Sequence, residues 1–124
     1  MSLVLIVEDN EKNMKLARDI LQAKGYQTVE AETGEEGVKL ARERKPDLVL
    51  MDIQLPGING IDAFKQIRAD AQTAGIPVVA LTASVTPTDR SQITAAGFDA
   101  FISKPISLKE FVETVKRLID SGKK

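Results

Sequence analysis

The sequence predicts one α/β domain, built on a doubly wound parallel sheet of five strands in the order 2-1-3-4-5 between two layers of helices. Along its 124 residues, five short apolar segments alternate with five amphipathic ones. The first, third and fourth apolar segments are apolar throughout, which is typical of parallel strands covered on both faces. Right-handed crossovers then favour the doubly wound topology. The length suits one domain, which we expect to span residues 1–124.

The five strands are predicted where compact apolar runs occur. The second is less apolar than the others, so we expect it at an edge of the sheet. In a doubly wound sheet, ligands bind beyond the carboxyl ends of the strands, and those ends are where function is expected. The predicted strands are Leu3–Val7, Tyr26–Ala31, Asp47–Asp52, Pro77–Thr82 and Asp99–Ser103.

The helices are predicted from apolar side chains at helical spacing and from capping signals. In the first helix, Met14, Ala17 and Leu21 recur on one face before Gly25, a good residue for a helix end. Capping boxes open the second and fifth helices. The boxes are Thr33–Glu36 and Ser107–Glu110, and the second helix is expected to end near Arg44. The third helix is predicted from the apolar residues Ile61, Phe64 and Ile67. The fourth helix is predicted to begin at Thr86 and Pro87 and to end near Gly97.

Composition excludes several classes of function. Histidine and cysteine are both absent, so the chain has no His-based triad, thiol nucleophile, disulfide or common zinc site. The net charge of −1 argues against nucleic acid or an anionic membrane as a direct partner. Apolar runs are only about as long as a strand, and no signal peptide precedes the first one. We therefore expect a cytoplasmic protein whose chemistry depends on Asp and Glu.

Polar side chains follow the carboxyl ends of four predicted strands. Glu8 and Asp9 follow the first strand, Asp52 ends the third, Thr82 ends the fourth and Lys104 follows the fifth. Strands one and three are neighbours in the predicted order, so the three carboxylates should share one crevice. Thr82 and Lys104 are expected on the other side of that crevice.

Three carboxylates in one crevice repel one another. At about 4 Å and an effective dielectric constant of about 20, each pair costs about 4 kcal/mol. Either one carboxylate takes up a proton or a cation joins them, and ligation by oxygen alone favours Mg²⁺. A phosphoryl group would fit between Mg²⁺ and the Lys104 ammonium, with a hydrogen bond from Thr82. Asp52, at a strand end followed by a loop, is then the candidate nucleophile.

Each of these residues, taken alone, has a simpler explanation. Glu8 and Asp9 could cap the first helix, as Asn10 is expected to do. Asp52 could begin a turn, and Lys104 could be an ordinary exposed lysine. All of these explanations would have to hold together at neighbouring strand ends, so the combination favours a functional site.

Four motifs, in this order and spacing, resemble those of a known family. They are VEDN at 7–10, LMDIQLPGING at 50–60, LTA at 81–83 and SKPI at 103–106. Together they resemble the receiver domain of two-component response regulators, which has a flavodoxin-like fold. The resemblance runs from Leu3 to about Leu118 and is strongest to single-domain regulators of the DivK type and to receivers of hybrid kinases.

The resemblance implies a site that accepts a phosphoryl group. Asp52 matches the phosphoacceptor, which takes the group from a phosphohistidine on a sensor histidine kinase or a histidine phosphotransfer protein. Asp9 matches the direct Mg²⁺ ligand beside Asp52, Glu8 the water-bridged one, and Gln54 the residue whose backbone carbonyl binds the metal. Lys104 matches the phosphoryl-binding lysine, in a Lys-Pro bond that is cis in the family.

The resemblance also implies a switch. Thr82 matches the switch hydroxyl, Phe101 the switch aromatic, and Ala83 a small residue that leaves the phosphoryl group accessible. Phosphorylation would change the surface of the fourth helix, fifth strand and fifth helix, and with it the binding of a downstream effector protein. The chain would be a signalling switch that catalyses its own phosphotransfer and dephosphorylation. Phe101 lacks the hydroxyl of the Tyr that many members carry, which removes one contact to a partner.

Three other functions stay open at the level of the residues. A phosphohydrolase of the haloacid dehalogenase type also uses an aspartyl nucleophile, but needs a second Asp where Gln54 stands. A flavodoxin-like cofactor binder needs a phosphate loop after the first strand, where this chain has Glu8 and Asp9. A scaffold that is never phosphorylated would need only the fold. The chain could also be a piece of a longer protein.

Overall fold

The computed structural model describes residues 2–53, 55, 57–82, 87–104 and 106–122, with side chains for all of these except 87–90, 121 and 122. Strands and helices alternate in this part of the chain, and none of its helices is long and apolar enough to cross a membrane. The elements are β1 (Leu3–Val7), α1 (Glu11–Ala23), β2 (Gln27–Ala31), α2 (Gly34–Arg44), β3 (Leu48–Asp52), α3 (Gly60–Ala69), β4 (Val78–Thr82), α4 (Pro87–Ala96), β5 (Ala100–Ser103) and α5 (Leu108–Gly122).

The five strands form one parallel sheet in the order β2-β1-β3-β4-β5. This confirms the predicted doubly wound fold, including the position of the weakly apolar β2 at an edge. The register aligns Val7 with Met51 and Thr82 with Ser103. The carboxyl ends of the strands therefore lie side by side along one edge of the sheet.

The central strands are apolar throughout because each contributes to two cores. Successive side chains of a strand point to opposite faces, and helices cover both. One core joins Val4, Ile6, Leu48 and Leu50 to apolar residues of α1 and α5. The other core joins Leu5, Val7, Val49 and Met51 to apolar residues of α2 and α3.

Asparagine side chains begin the two helices that follow the central strands. Asn10 Oδ1 accepts a hydrogen bond from Asn13 N at 3.1 Å at the start of α1, as predicted. Asn59 Oδ1 accepts one from Asp62 N at 2.9 Å at the start of α3, a cap that the sequence analysis did not identify. Both caps fix a helix to the loop that leaves the carboxyl edge of the sheet.

The capping box of α2 is displaced by one residue. Thr33 Oγ1 accepts from Glu36 N at 3.1 Å, as predicted, but the Glu36 carboxylate accepts from Glu32 N at 3.0 Å and not from Thr33. The reciprocal bond of a capping box normally returns to the cap residue. The predicted cap at Thr86 lies outside the described residues.

Four strands, β2 to β5, begin one residue later than predicted. Tyr26 N donates to Leu21 O at 3.0 Å, which closes the end of α1 instead of joining β2. Pro77 has no N–H to donate to a ladder. Asp99 turns its carboxylate onto Val78 N at 2.8 Å, a local contact that the apolar pattern does not reveal.

Candidate functional site

Two acidic side chains are carried to the carboxyl edge of the sheet by its central strands. Asp52 is the last residue of β3, and Glu8 directly follows β1, the neighbour of β3. Glu8 N donates to Ala31 O and Ile53 N donates to Leu81 O, each at 3.0 Å. These backbone bonds fix the main chain at both acids before the loops begin.

Asp9 completes a group of three carboxylates. One carboxylate oxygen from each of Glu8, Asp9 and Asp52 lies within 4.8 Å of the other two. Glu8 is only 1% exposed and Asp52 only 3%, whereas Asp9 is exposed. The structure thus brings together the three acids that the sequence analysis singled out, in a group that opens to solvent on the side of Asp9.

Lys104 lies directly against two of these acids. Its N donates to Thr82 O at 2.8 Å, which holds it at the end of β5 beside β4. Its Nζ donates to Asp52 Oδ2 at 3.0 Å and lies 2.7 Å from Glu8 Oε1. The sequence analysis expected Lys104 across the crevice from the carboxylates. Instead the ammonium joins two of them, Glu8 and Asp52.

The pKa values show how the site accommodates its charges. Burial raises the pKa of Glu8 from 4.5 to about 7, and the Asp52 carboxylate acts in the same direction, while Lys104 and the Asn10 N–H oppose the rise. Burial alone would lower the pKa of Lys104, but Glu8 and Asp52 outweigh burial and raise it. A shared ammonium and a readily protonated Glu8 are the two means by which the metal-free site limits carboxylate repulsion.

The donor set fits a hard divalent cation such as Mg²⁺. Glu8 Oε1 is buried, and the Lys104 ammonium lies 2.7 Å from it. Mg²⁺ is usually bound through one or two carboxylates together with waters and phosphate oxygens. Glu8, Asp9 and Asp52 offer those carboxylates, and the exposure of Asp9 leaves an open side for the other ligands.

Thr82 and Phe101 lie on β4 and β5, the two strands on one side of β3. Thr82 ends β4 and is 2% exposed, one residue after Leu81, which pairs with Asp52. Phe101 is half-buried in β5 and pairs with Ala80 of β4. The two residues predicted to form a switch therefore lie on adjacent strands, two register positions apart, on the side of the site that carries Lys104.

Three residues named from the resemblance lie outside the described residues. They are Gln54, Ala83 and Pro105. The backbone carbonyl of Gln54 as a metal ligand, the small side chain of Ala83 and the cis bond before Pro105 stay predictions.

An acidic crevice of about 560 Å³ extends from Glu8 and Asp9 along α1, the end of β2 and the start of α2. Six of its nine lining residues are acids and two are bases, which favours cations over anions in the absence of metal. The lining residues are Glu8, Asp9, Glu11, Met14, Lys15, Arg18, Glu30, Glu32 and Glu36.

Fold and site together define a class of protein: a doubly wound α/β domain with an acidic crevice and a buried lysine at the carboxyl edge of its sheet. The family model for the response regulator receiver domain matches residues 4–116, and the chain belongs to this family. Receiver domains are signalling modules that accept a phosphoryl group, bind Mg²⁺ at an acidic site and interact with histidine kinases and effectors.

Individual relatives support the same assignment. The polar-differentiation response regulator DivK of Brucella anthropi is 50% identical over 113 residues, which cover 91% of this chain and 92% of the relative. A receiver domain of a sensor histidine kinase from Pseudomonas aeruginosa, with a magnesium ion in its active-site cleft, has a TM-score of 0.90 and 31% identity, covering 96% of this chain and 98% of that one. A histidine kinase receiver from Syntrophus aciditrophicus has a TM-score of 0.93 and 31% identity, covering 100% and 94%. These matches confirm the resemblance identified from the motifs.

Proposed function

We propose that residues 1–124 form a single receiver domain that takes a phosphoryl group onto Asp52 from the phosphohistidine of a sensor histidine kinase or a histidine phosphotransfer protein in the cytoplasm. The observation that carries this proposal is the contact of 3.0 Å between Lys104 Nζ and Asp52 Oδ2, within a group of three acids. A fixed ammonium beside a carboxylate nucleophile suits the transfer of an anionic group.

The chemistry is a displacement at phosphorus. A carboxylate oxygen of Asp52 attacks, the O–P bond forms as the P–N bond to the donor imidazole breaks, and the imidazole leaves with that bond's electron pair. Glu8, Asp9, Asp52 and the backbone carbonyl of Gln54 would hold Mg²⁺, which would supply neutralisation of charge on the phosphoryl oxygens. Later hydrolysis by water regenerates the carboxylate and releases inorganic phosphate.

Lys104 changes its partners during this cycle. Before transfer, its ammonium is shared between Glu8 and Asp52. Once Asp52 carries the phosphoryl group, the new oxygens offer more negative charge than the original carboxylate, and the ammonium binds them. The burial of Lys104, whose side chain is 13% exposed, strengthens this contact by excluding water.

The output is a change in the surface of α4, β5 and α5. The phosphoryl group gives the Thr82 hydroxyl a new acceptor, Thr82 moves towards it, and Phe101 follows into the vacated space. Such a change shifts the population between two packings. A groove of about 580 Å³ beside Phe101, with walls from α5, supports this surface as the binding site for a downstream effector protein.

Phosphorylation by acetyl phosphate tests the assignment of Asp52. With Mg²⁺ present, the wild type should gain one phosphoryl group by intact-mass spectrometry, and Asp52→Asn should gain none because the amide is not a nucleophile. Asp62→Asn, a change at an exposed acid of α3, is the matched control and should be modified like the wild type. Equal modification of Asp52→Asn would show that the acceptor is another residue.

A further inference from the structure

The amino end of α3 rests directly on the backbone of Asp52. Gly60 is the first residue of α3, and its N donates to Ile53 O at 3.0 Å. A Cβ at position 60 would lie 2.1 Å from Asp52 O and 2.7 Å from Ile53 Cα. Real Cβ atoms essentially never approach other atoms this closely, so a side chain at this position requires the main chain of Asp52 or α3 to move.

The loop between β3 and α3 is also held from its other side, by the start of α2. A Cβ at Gly34 would lie 2.7 Å from Ile58 Cγ1 and 2.9 Å from Ile58 O. Gly34 is the first residue of α2 and is buried, so α2 packs against the loop at backbone distance. Ile58 thus lies against the start of α2, and Gly60 against the end of β3.

We infer that Gly60 is a positioning residue for phosphoryl transfer, because its missing side chain lets α3 fix the backbone, and hence the carboxylate, of Asp52. This inference rests on the proposed function of Asp52. The Asp52 carboxylate has to meet Lys104 Nζ, now at 3.0 Å, and the incoming phosphorus at the same time. A misplacement of about 1 Å can slow such a reaction by about 100-fold.

Without the contact between Gly60 and Asp52, replacing Gly60 by alanine would be expected to stabilise α3. Gly60 has an ordinary helical φ, since the glycines with positive φ among the described residues are Gly25, Gly57 and Gly97. Alanine is normally better than glycine in a helix by about 0.5–1 kcal/mol. A defect in Gly60→Ala therefore has to come from the contact with Asp52 and Ile53, not from helix propensity or backbone strain.

The test compares Gly60→Ala with Gly75→Ala and the wild type. A methyl group at position 75 would meet no atom within 4 Å, and Gly75 has no positive φ, so Gly75→Ala should react like the wild type. We expect Gly60→Ala to be phosphorylated by acetyl phosphate at least about tenfold more slowly at saturating Mg²⁺, well below its unfolding temperature. The fluorine NMR shifts of its beryllofluoride adduct should also differ from those of the wild type, whereas a purely structural role would leave both readouts unchanged per folded molecule.

A second variant covers the case in which Gly60→Ala does not fold. Gly34→Ala presses on the same loop less severely, because its closest backbone contact would be 2.9 Å from Ile58 O, against 2.1 Å from Asp52 O for Gly60→Ala, so it should fold and be slowed by a smaller factor. Wild-type rates and fluorine shifts in folded Gly60→Ala, or in Gly34→Ala where Gly60→Ala is unfolded, would overturn the inference. If the wild type itself takes up no phosphoryl group, the proposed function fails instead, and the two failures are distinguishable.

Discussion

At the scale of single residues, the charge of Lys104 compensates two buried carboxylates. Its ammonium lies 2.7 Å from Glu8 Oε1 and 3.0 Å from Asp52 Oδ2, and both acids are almost fully buried. Removing one partner from a buried ion pair leaves an uncompensated charge, which costs more than the pair contributes. Lys104 therefore stabilises the metal-free protein as well as preparing the site for a phosphoryl group.

Lys104→Met should therefore lower the metal-free free energy of unfolding by about 3 kcal/mol. Urea unfolding with a chelator present measures this loss, and added Mg²⁺ should recover part of it because the ion replaces the missing positive charge. Lys65→Met, at an exposed position of α3, controls for the loss of a lysine. Equal stability of Lys104→Met and the wild type in chelator would contradict the account.

The convergence of Glu8, Asp9 and Asp52 could be predicted from the sequence, because strand order alone decides which strand ends are neighbours. The direct contact between Lys104 and Glu8 could not. It depends on the conformations of the Lys104 and Glu8 side chains, and periodicity carries no information about them. Gly60 was not identified for a similar reason, since the apolar pattern of the third helix starts at Ile61 and only the folded structure reveals the contact of Gly60 with Asp52.

At the scale of elements, Arg68 joins the end of α3 to the starts of β4 and β5. Its Nη1 donates to Ala74 O at 3.1 Å and to Ile76 O at 2.5 Å, and its Nη2 donates to Asp99 Oδ2 at 2.5 Å. The guanidinium also lies 4.8 Å from the centre of the Phe64 ring. All of these contacts lie at the amino edge of the sheet, opposite the site.

Arg68→Met should destabilise the fold by about 2 kcal/mol, because carbonyl oxygens and a carboxylate lose a charged donor. The rate of phosphorylation by acetyl phosphate should stay that of the wild type, since the opposite edge of the sheet carries the site. Arg42→Met is the matched control: its pair with Asp70 at 2.8 Å is half-exposed and should be worth less than about 1 kcal/mol. Urea unfolding of both variants measures whether Arg68→Met loses more stability than Arg42→Met, and an equal loss would contradict this prediction.

The strands and helices themselves were largely predictable, and the exceptions have local causes. Apolar runs and capping residues gave every element of the described chain in its correct order. The predicted first residues of four strands were one position too early. Before two of these strands, Tyr26 and Asp99 make local contacts that hydrophobicity does not encode. The cap of α3 was missed because Asn59 lies in a stretch that turn signals dominate, and turn and cap residues are the same types.

At the scale of the whole molecule, the doubly wound sheet stabilises a site that is unfavourable on its own. The two apolar cores fix β1 and β3 side by side, so Glu8 and Asp52 cannot separate to relieve their repulsion. The fold therefore imposes the proximity that a cation-dependent phosphoryl site needs. The repulsion between the two carboxylates offsets part of the free energy of unfolding that the cores contribute. Protonation or Mg²⁺ binding relieves this repulsion, so global unfolding should depend on both.

The pH dependence of unfolding follows from Glu8. Its pKa is about 7 in the folded metal-free protein and 4.5 as its ordinary value, so the folded state binds this proton more tightly than the unfolded state. The contribution of Glu8 is then fully present below pH 4.5 and is lost as the pH rises through about 7, because stability falls wherever the folded state holds more protons. Urea unfolding in chelator should show a loss between these values that is absent in Glu8→Gln, whose amide does not titrate. Glu11→Gln, at an exposed acid of α1, should keep the wild-type profile. Identical profiles for Glu8→Gln and the wild type would mean that Glu8 is ionised in the metal-free fold and that Lys104 alone compensates the buried acids.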